Sequence, residues 1–202
     1  MEKKLSAREV AELALFIAII FVMKITGLSS IPVGPLVMTF TMIPIAIGAM
    51  LMGPFAGGVL GMVYGFTSLY DAMTGASAMT GFFFQISPLH TVILCVGMRT
   101  LVGVFTGWLF RLYQKADRRK LWCYFLGGLT APVLNTLLFM GYIVLVFYNT
   151  EFVQSLVTRL GAASPLMFVV LVVGIQGVVE AVTGAILGGG VAKGAAHALR
   201  WD

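Results

Sequence analysis

The chain has 202 residues, 59% hydrophobic and 10% charged, with a formal net charge of +5 and a mean hydropathy of +1.00. Soluble domains carry about 25% charged residues, so this composition excludes an ordinary water-soluble fold. Apolar runs recur along the whole length with no long polar block between them, which excludes a separate aqueous domain, and residues 1–202 read as a single membrane domain.

The chain begins Met1-Glu2-Lys3-Lys4 and runs into an apolar stretch, the outline of a secretory signal. Arg8, Glu9 and Glu12 interrupt its start, and it continues to Met23 without a small-residue cleavage site, so it is expected to remain as a first helix over 10–26. Ala7, Ala11, Ala14 and Ala18 recur on one stripe of that helix, a surface that lets another helix approach closely. Breaks at Gly, Pro and charge clusters predict further helices over 38–52, 54–73, 88–113, 121–148 and 165–191. The second and third are separated only by Gly53-Pro54, a tight turn that makes them antiparallel neighbours. Small-residue stripes recur as Gly57, Gly61 and Gly65 in the third and as Gly184 and Gly188 in the last, where contact within the bundle is expected.

The expected fold is therefore all-α: a polytopic bundle of six transmembrane helices. Orientation follows from the basic residues, which concentrate on the cytoplasmic side. Lys3, Lys4 and Arg8 precede the first helix; Arg111, Lys115, Arg118, Arg119 and Lys120 join the fourth to the fifth; Lys193 and Arg200 follow the sixth. With six spans all three clusters fall on one side, both termini are cytoplasmic, and the net charge needs no nucleic-acid partner. The outer connections, 27–37, 74–87 and 149–164, hold a single basic residue, Arg159, and are rich in Gly, Ser and Thr, where a lid is expected.

Charged and amide side chains inside membrane helices are costly and usually face a bundle interior or cavity. Here they are Arg99 in the fourth helix, Asn135 in the fifth, and Gln176 with Glu180 one turn apart in the sixth. All fall at the middle or outer-middle of the bilayer, so a cation, two amides and a carboxylate are positioned to share one cavity. The alternative is purely structural: Arg99 and Glu180 as a buried ion pair, with Asn135 and Gln176 as interhelical hydrogen-bonding groups. Lys24, Asp71 and His90 lie near outer helix ends, where snorkelling or solvation is expected. Tyr64, Phe66, Tyr70, Phe84 and Tyr142 are candidates to wall a pocket and equally for packing or an interfacial belt. Cys95 and Cys123 lie in or beside apolar runs and read as buried thiols.

No GxxxxGK[ST], HExxH or GxSxG pattern occurs, and Ser87 and His90 flank a proline in poor geometry for an activated nucleophile. Binding without catalysis is expected, with no cofactor, and any ATP-driven transport needs another subunit's ATPase site.

Size, helix count, the basic N-terminus leading into Ala14-x-x-x-Ala18, and the Gly53-Pro54 junction resemble the substrate-binding S components of energy-coupling factor (ECF) vitamin transporters. The resemblance covers essentially the whole chain. It implies a plasma-membrane uptake system in which Ala14 and Ala18 contact a transmembrane coupling subunit and two cytoplasmic ATPase subunits drive transport. It also implies a vitamin pocket beneath the first outer loop, 28–37. Phe66-Thr67-Ser68, Gly75-Ala76-Ser77-Ala78, Ile86-Ser87-Pro88, Arg99, Gly107 and Leu134-Asn135-Thr136-Leu137-Leu138-Phe139-Met140-Gly141 are most similar to the pantothenate-specific branch. The Pro-rich outer loop of folate-type relatives is missing from 74–84. The expected ligand contacts are Arg99, Asn135 and Gln176 from the resemblance, with Glu180, Tyr64 and Tyr142 added from the residue chemistry. Gln176 departs from the branch, where Asn is common, which changes the reach of the amide. The alternatives are a different small vitamin or precursor, or a structural subunit of a membrane complex.

Overall fold

In the computed structural model, residues 6–29, 31–33, 36–117 and 121–198 are described. Lys3, Lys4, Ser30, Gly34, Pro35, Arg118, Arg119, Lys120 and Arg200 lie outside them.

Helix α1 (Ala7–Ile25) starts at a reciprocal capping box: the Glu9 N–H donates to Ser6 Oγ at 3.2 Å, and the Ser6 N–H donates to Glu9 Oε2 at 2.7 Å. The charges that interrupt the apolar run thus form a capped first turn, extended by an Arg8–Glu12 pair at 2.8 Å. The chain is all-helical as expected apart from one short interruption after α1. Strands β1 (Ile31–Val33) and β2 (Leu36–Met38) form a short antiparallel hairpin, and α2 (Met42–Met52) begins four residues later than predicted. Gly53, with φ of 90°, and Pro54, pre-organised for a first helical turn, reverse the chain into α3 (Pro54–Thr74) as expected.

Two further helices occupy segments read as loops: α4 (Ala78–Ile86) and α7 (Glu151–Leu160). Each is too short to register in a search for spanning runs, yet each buries one face, α4 through Phe83 and α7 through Val153. Between them run α5 (Pro88–Ala116) and α6 (Trp122–Val146), and the last predicted helix is divided into α8 (Pro165–Gly174) and α9 (Gln176–Ala198). Gly174, at φ 42° and ψ −136°, makes the break. By length and composition α5, α6 and α9 can each cross a bilayer, and α7 with α8, bent by 75°, can do so as a pair. The described chain is thus a helical membrane protein with three clear apolar spans, or four if the bent pair is one.

Glycine decides which helices touch. A Cβ built on Gly65 would lie 2.7 Å from the Cys95 carbonyl oxygen, and one on Gly61 would lie 2.9 Å from the Arg99 carbonyl carbon. Gly57 meets Gly103 in the same way, so α3 and α5 run backbone against backbone. Gly184 of α9 lies equally close to Gly128 of α6, a Cβ there falling 2.7 Å from its carbonyl oxygen. Both predicted Gly stripes are internal contacts. The Ala stripe is not: Ala7, Ala11, Ala14 and Ala18 are all exposed.

The buried residues form two clusters. One holds Ile20, Met42, Ile45, Leu60, Tyr64, Val102, Phe110 and Tyr124, where α1, α2, α3, α5 and α6 meet. The other is an aromatic cap at the opposite end, where Phe83, Phe139, Phe147, Val153 and Phe168 join α4, α6, α7 and α8. Phe83 and Phe147 stack at 4.2 Å between centroids.

Forcing a side chain into the α3–α5 seam should be costly, since overpacking typically destabilises by about 1–3 kcal/mol. Gly61→Val is expected to lower the thermal unfolding midpoint in detergent, whereas Gly190→Ala, at a position with nothing within 4 Å, should leave it near wild type. Equal midpoints for wild type and Gly61→Val would refute the seam as a packing constraint.

Candidate ligand-binding site

A cavity of about 630 Å³ is lined by residues of both clusters, among them Tyr64 and Phe139. That is within the usual range for a small-molecule pocket, about 300–1,000 Å³. Arg99 reaches it from α5, 7% exposed. Its guanidinium is held between two aromatic faces, 4.6 Å from the Tyr64 ring centre and 4.5 Å from that of Phe139, a cation–π sandwich. Nη1 donates to the Cys95 carbonyl at 3.3 Å, while Nε is buried and has no hydrogen-bond partner among the described residues. No carboxylate among them pairs with this cation.

Asn135 projects from α6 with Oδ1 buried and likewise unpartnered among the described residues. On α9, Glu180 Oε1 accepts from Gln176 Nε2 at 3.0 Å and from the Thr39 backbone N–H at 2.7 Å. The structural alternative of an Arg99–Glu180 ion pair is therefore not the arrangement seen. The carboxylate takes neutral donors, and the guanidinium takes aromatic faces and a carbonyl, within one cavity.

Local irregularity surrounds these side chains. A π turn over Ile93–Gly97 precedes Arg99, another over Thr136–Met140 follows Asn135, and a third over Gly184–Gly188 lies one turn beyond Glu180. Such turns are frequent at functional sites because they re-aim side chains within a continuous helix. The break at Gly174 falls between Val173 and Gln176, both of which line the cavity.

Of the predicted contacts, Arg99, Asn135, Gln176, Glu180 and Tyr64 are brought together, and Tyr142 is not. Its hydroxyl hydrogen-bonds His90 Nδ1 at 2.9 Å, beside the aromatic cap and away from the cavity lining. Lys24 and Asp71, for which snorkelling or solvation is expected from sequence, pair with each other at the cavity and join α1 to α3. Phe66 and Tyr70 are exposed, and Phe84 lines a different cleft. Phe139 and Thr80 are among the cavity residues that the sequence reading missed. Phe139 lies one helical turn from Asn135, so the 3.6-residue period could have found it. Thr80, 4% exposed with its hydroxyl unpartnered among the described residues, had no signal because α4 was not predicted.

A guanidinium with an open N–H beside acceptor oxygens suits a ligand with an anionic group at one place and O–H or N–H donors at another. At the opposite end of the bundle, Glu9, Gly53, Arg111, Tyr124 and Ala196 line a separate cleft. The start of α1, the α2–α3 turn, the end of α5, the start of α6 and the end of α9 therefore gather away from the cavity.

In comparison with known families, the model described as ECF transporter, substrate-specific component matches residues 8–188. No curated protein matches the chain.

The rim pair provides a direct test of the geometry. Lys24→Ala and Asp71→Ala should each destabilise, and the double variant should lose less than the sum, with a coupling of about 1 kcal/mol for a partly exposed pair. Strict additivity in chemical unfolding would mean that the two charges do not interact.

Proposed function

We propose, from the premise that this chain belongs to the family of ECF transporter substrate-specific components, that it is the pantothenate-binding subunit of an ATP-driven vitamin uptake system. Membership makes it a substrate-binding transporter subunit and not a member of an enzyme family, with a small-molecule substrate and the subunits of the ECF module as partners.

The single observation that carries the substrate reading is the Arg99 guanidinium, buried at the cavity with an open Nε–H and no carboxylate partner among the described residues. Pantothenate brings a carboxylate for that cation, held by paired, charge-assisted hydrogen bonds. Its hydroxyls and amide N–H are donors for Asn135 and Gln176, and its gem-dimethyl group suits the apolar wall that includes Val172, Val173 and Met140. Tyr64 belongs to the site through the face it lays on Arg99. Tyr142 is set apart from ligand contact by its bond to His90.

In this reading the chain is one membrane domain of the plasma membrane with six crossings: α1, α2, α3, α5, α6 and the broken α8–α9. Helix α2, 11 residues and about 16 Å long, is completed by extended chain through Thr39. Non-helical backbone is tolerated at membrane depth where it lines a cavity and is hydrogen-bonded, and Glu180 supplies that bond to Thr39. Arg8, Arg111, Lys115 and Lys193 belong to the end with the second cleft, so the positive-inside rule puts that end and both termini in the cytoplasm, with the cavity toward the outside. The exposed Ala14 and Ala18 offer a flat strip for a helix of the coupling subunit.

Arg99→Ala should weaken pantothenate binding at least about thirtyfold, because truncating a buried, hydrogen-bonded charge pair costs about 2–5 kcal/mol and each 1.4 kcal/mol is about tenfold. Pantothenol, with an alcohol in place of the carboxylate, should bind wild type far more weakly and lose much less on Arg99→Ala. Titration calorimetry decides: equal losses for acid and alcohol would remove the carboxylate from Arg99. Ala14→Trp with Ala18→Trp should abolish uptake in cells while binding by the isolated subunit stays near wild type. Unimpaired uptake would reject the docking role.

A further inference from the structure

We infer that Glu180 is a positioning residue that fixes the Gln176 amide and the backbone at Thr39 together, so that Gln176 presents a carbonyl oxygen to the ligand. The inference rests on the reading of the cavity as the substrate site and adds a selection rule to it.

A carboxylate can only accept hydrogen bonds. Because Glu180 Oε1 receives Gln176 Nε2 at 3.0 Å and the Thr39 N–H at 2.7 Å, the amide nitrogen of Gln176 must face Glu180. With one N–H of the amide taken by Glu180, the amide oxygen is the acceptor that Gln176 has left for the cavity it lines. Asn135 Oδ1, buried and without a partner among the described residues, is a second acceptor there. The site thus selects an anionic compound carrying O–H or N–H donors, and it discriminates against analogues whose donors have been capped. A site built to hydrogen-bond a ligand's hydroxyl rejects the analogue lacking it, because buried polar groups are then left unpaired. Glu180 itself is 7% exposed, and the oxygen facing Gln176 already holds two donors, so its contribution is to orient. The same oxygen joins residues 141 apart in sequence, which ties the strand end at Thr39 to the helix that carries Gln176.

Three substitutions, two of them also combined, and two ligands test this. In Glu180→Gln the new amide can donate to Gln176 and let its amide turn. Pantothenate affinity should fall about tenfold, and selectivity for pantothenate over its hydroxyl-methylated ether should fall by a similar factor. In a Gln176→Leu background, Glu180→Gln should change pantothenate affinity by less than about twofold. An equal loss in both backgrounds overturns the proposal, since Glu180 would then touch the ligand or merely hold the fold. A ligand-independent arm separates this from the substrate assignment: amide hydrogen exchange at Thr39 in the ligand-free protein should speed up at least tenfold in Glu180→Ala while α6 keeps its protection. If wild type does not bind pantothenate, the substrate reading fails and the exchange arm still judges Glu180. Unchanged exchange at Thr39 refutes it.

Discussion

A guanidinium cannot shed its charge inside an apolar bundle, and the organisation of this protein follows from accommodating one. Arg99 lies between the rings of Tyr64 and Phe139, which supply attraction through their π faces without supplying a counter-charge. Tyr64 belongs to one buried cluster and Phe139 to the other, so the cation sits where the two cores meet. The Tyr64 ring reaches Arg99 because α3 and α5 touch along Gly57, Gly61 and Gly65. A side chain in that seam would push the helices apart and open the sandwich. The glycines are thus as much part of the site as the polar residues are.

A second consequence concerns regular structure. Helices satisfy their backbones internally, but a uniform helix cannot gather side chains from three elements around one cavity. The chain departs from regularity near each contributing residue: π turns beside Arg99 and Asn135 and beyond Glu180, the break at Gly174, and non-helical backbone at Thr39. At Thr39 the backbone N–H, outside any helix, is taken up by the Glu180 carboxylate. Polar side chains that look like membrane liabilities in sequence therefore serve partly to satisfy the backbone around the space they line.

The division of labour between the two ends also has a physical basis. Short helices α4 and α8 line the cavity and pack with α7 in the cluster of stacked aromatics, while the other cluster is the packed α1–α3 and α5–α6 core. The exposed alanines lie on α1, the helix whose far end carries Lys24 of the rim pair with Asp71.

Composition and periodicity alone determined that the chain is helical and membrane-embedded, located the Gly53-Pro54 reversal, and singled out Arg99, Asn135, Gln176 and Glu180, because burying polar groups in hydrocarbon is costly wherever it occurs. Resemblance carried by loose motifs led to the family that the matched model shows. Pairing was beyond the sequence. Whether Glu180 would meet Arg99, whether Lys24 would find solvent or Asp71, and whether Tyr142 would face a ligand or His90 depend on how the helices are rotated against one another. Those rotations are set by glycine contacts, π turns and the kink at Gly174, none of which alters hydropathy. The short helices α4 and α7 were hidden for a related reason: their apolar faces have meaning only against the aromatic cap, which exists only once the chain has folded.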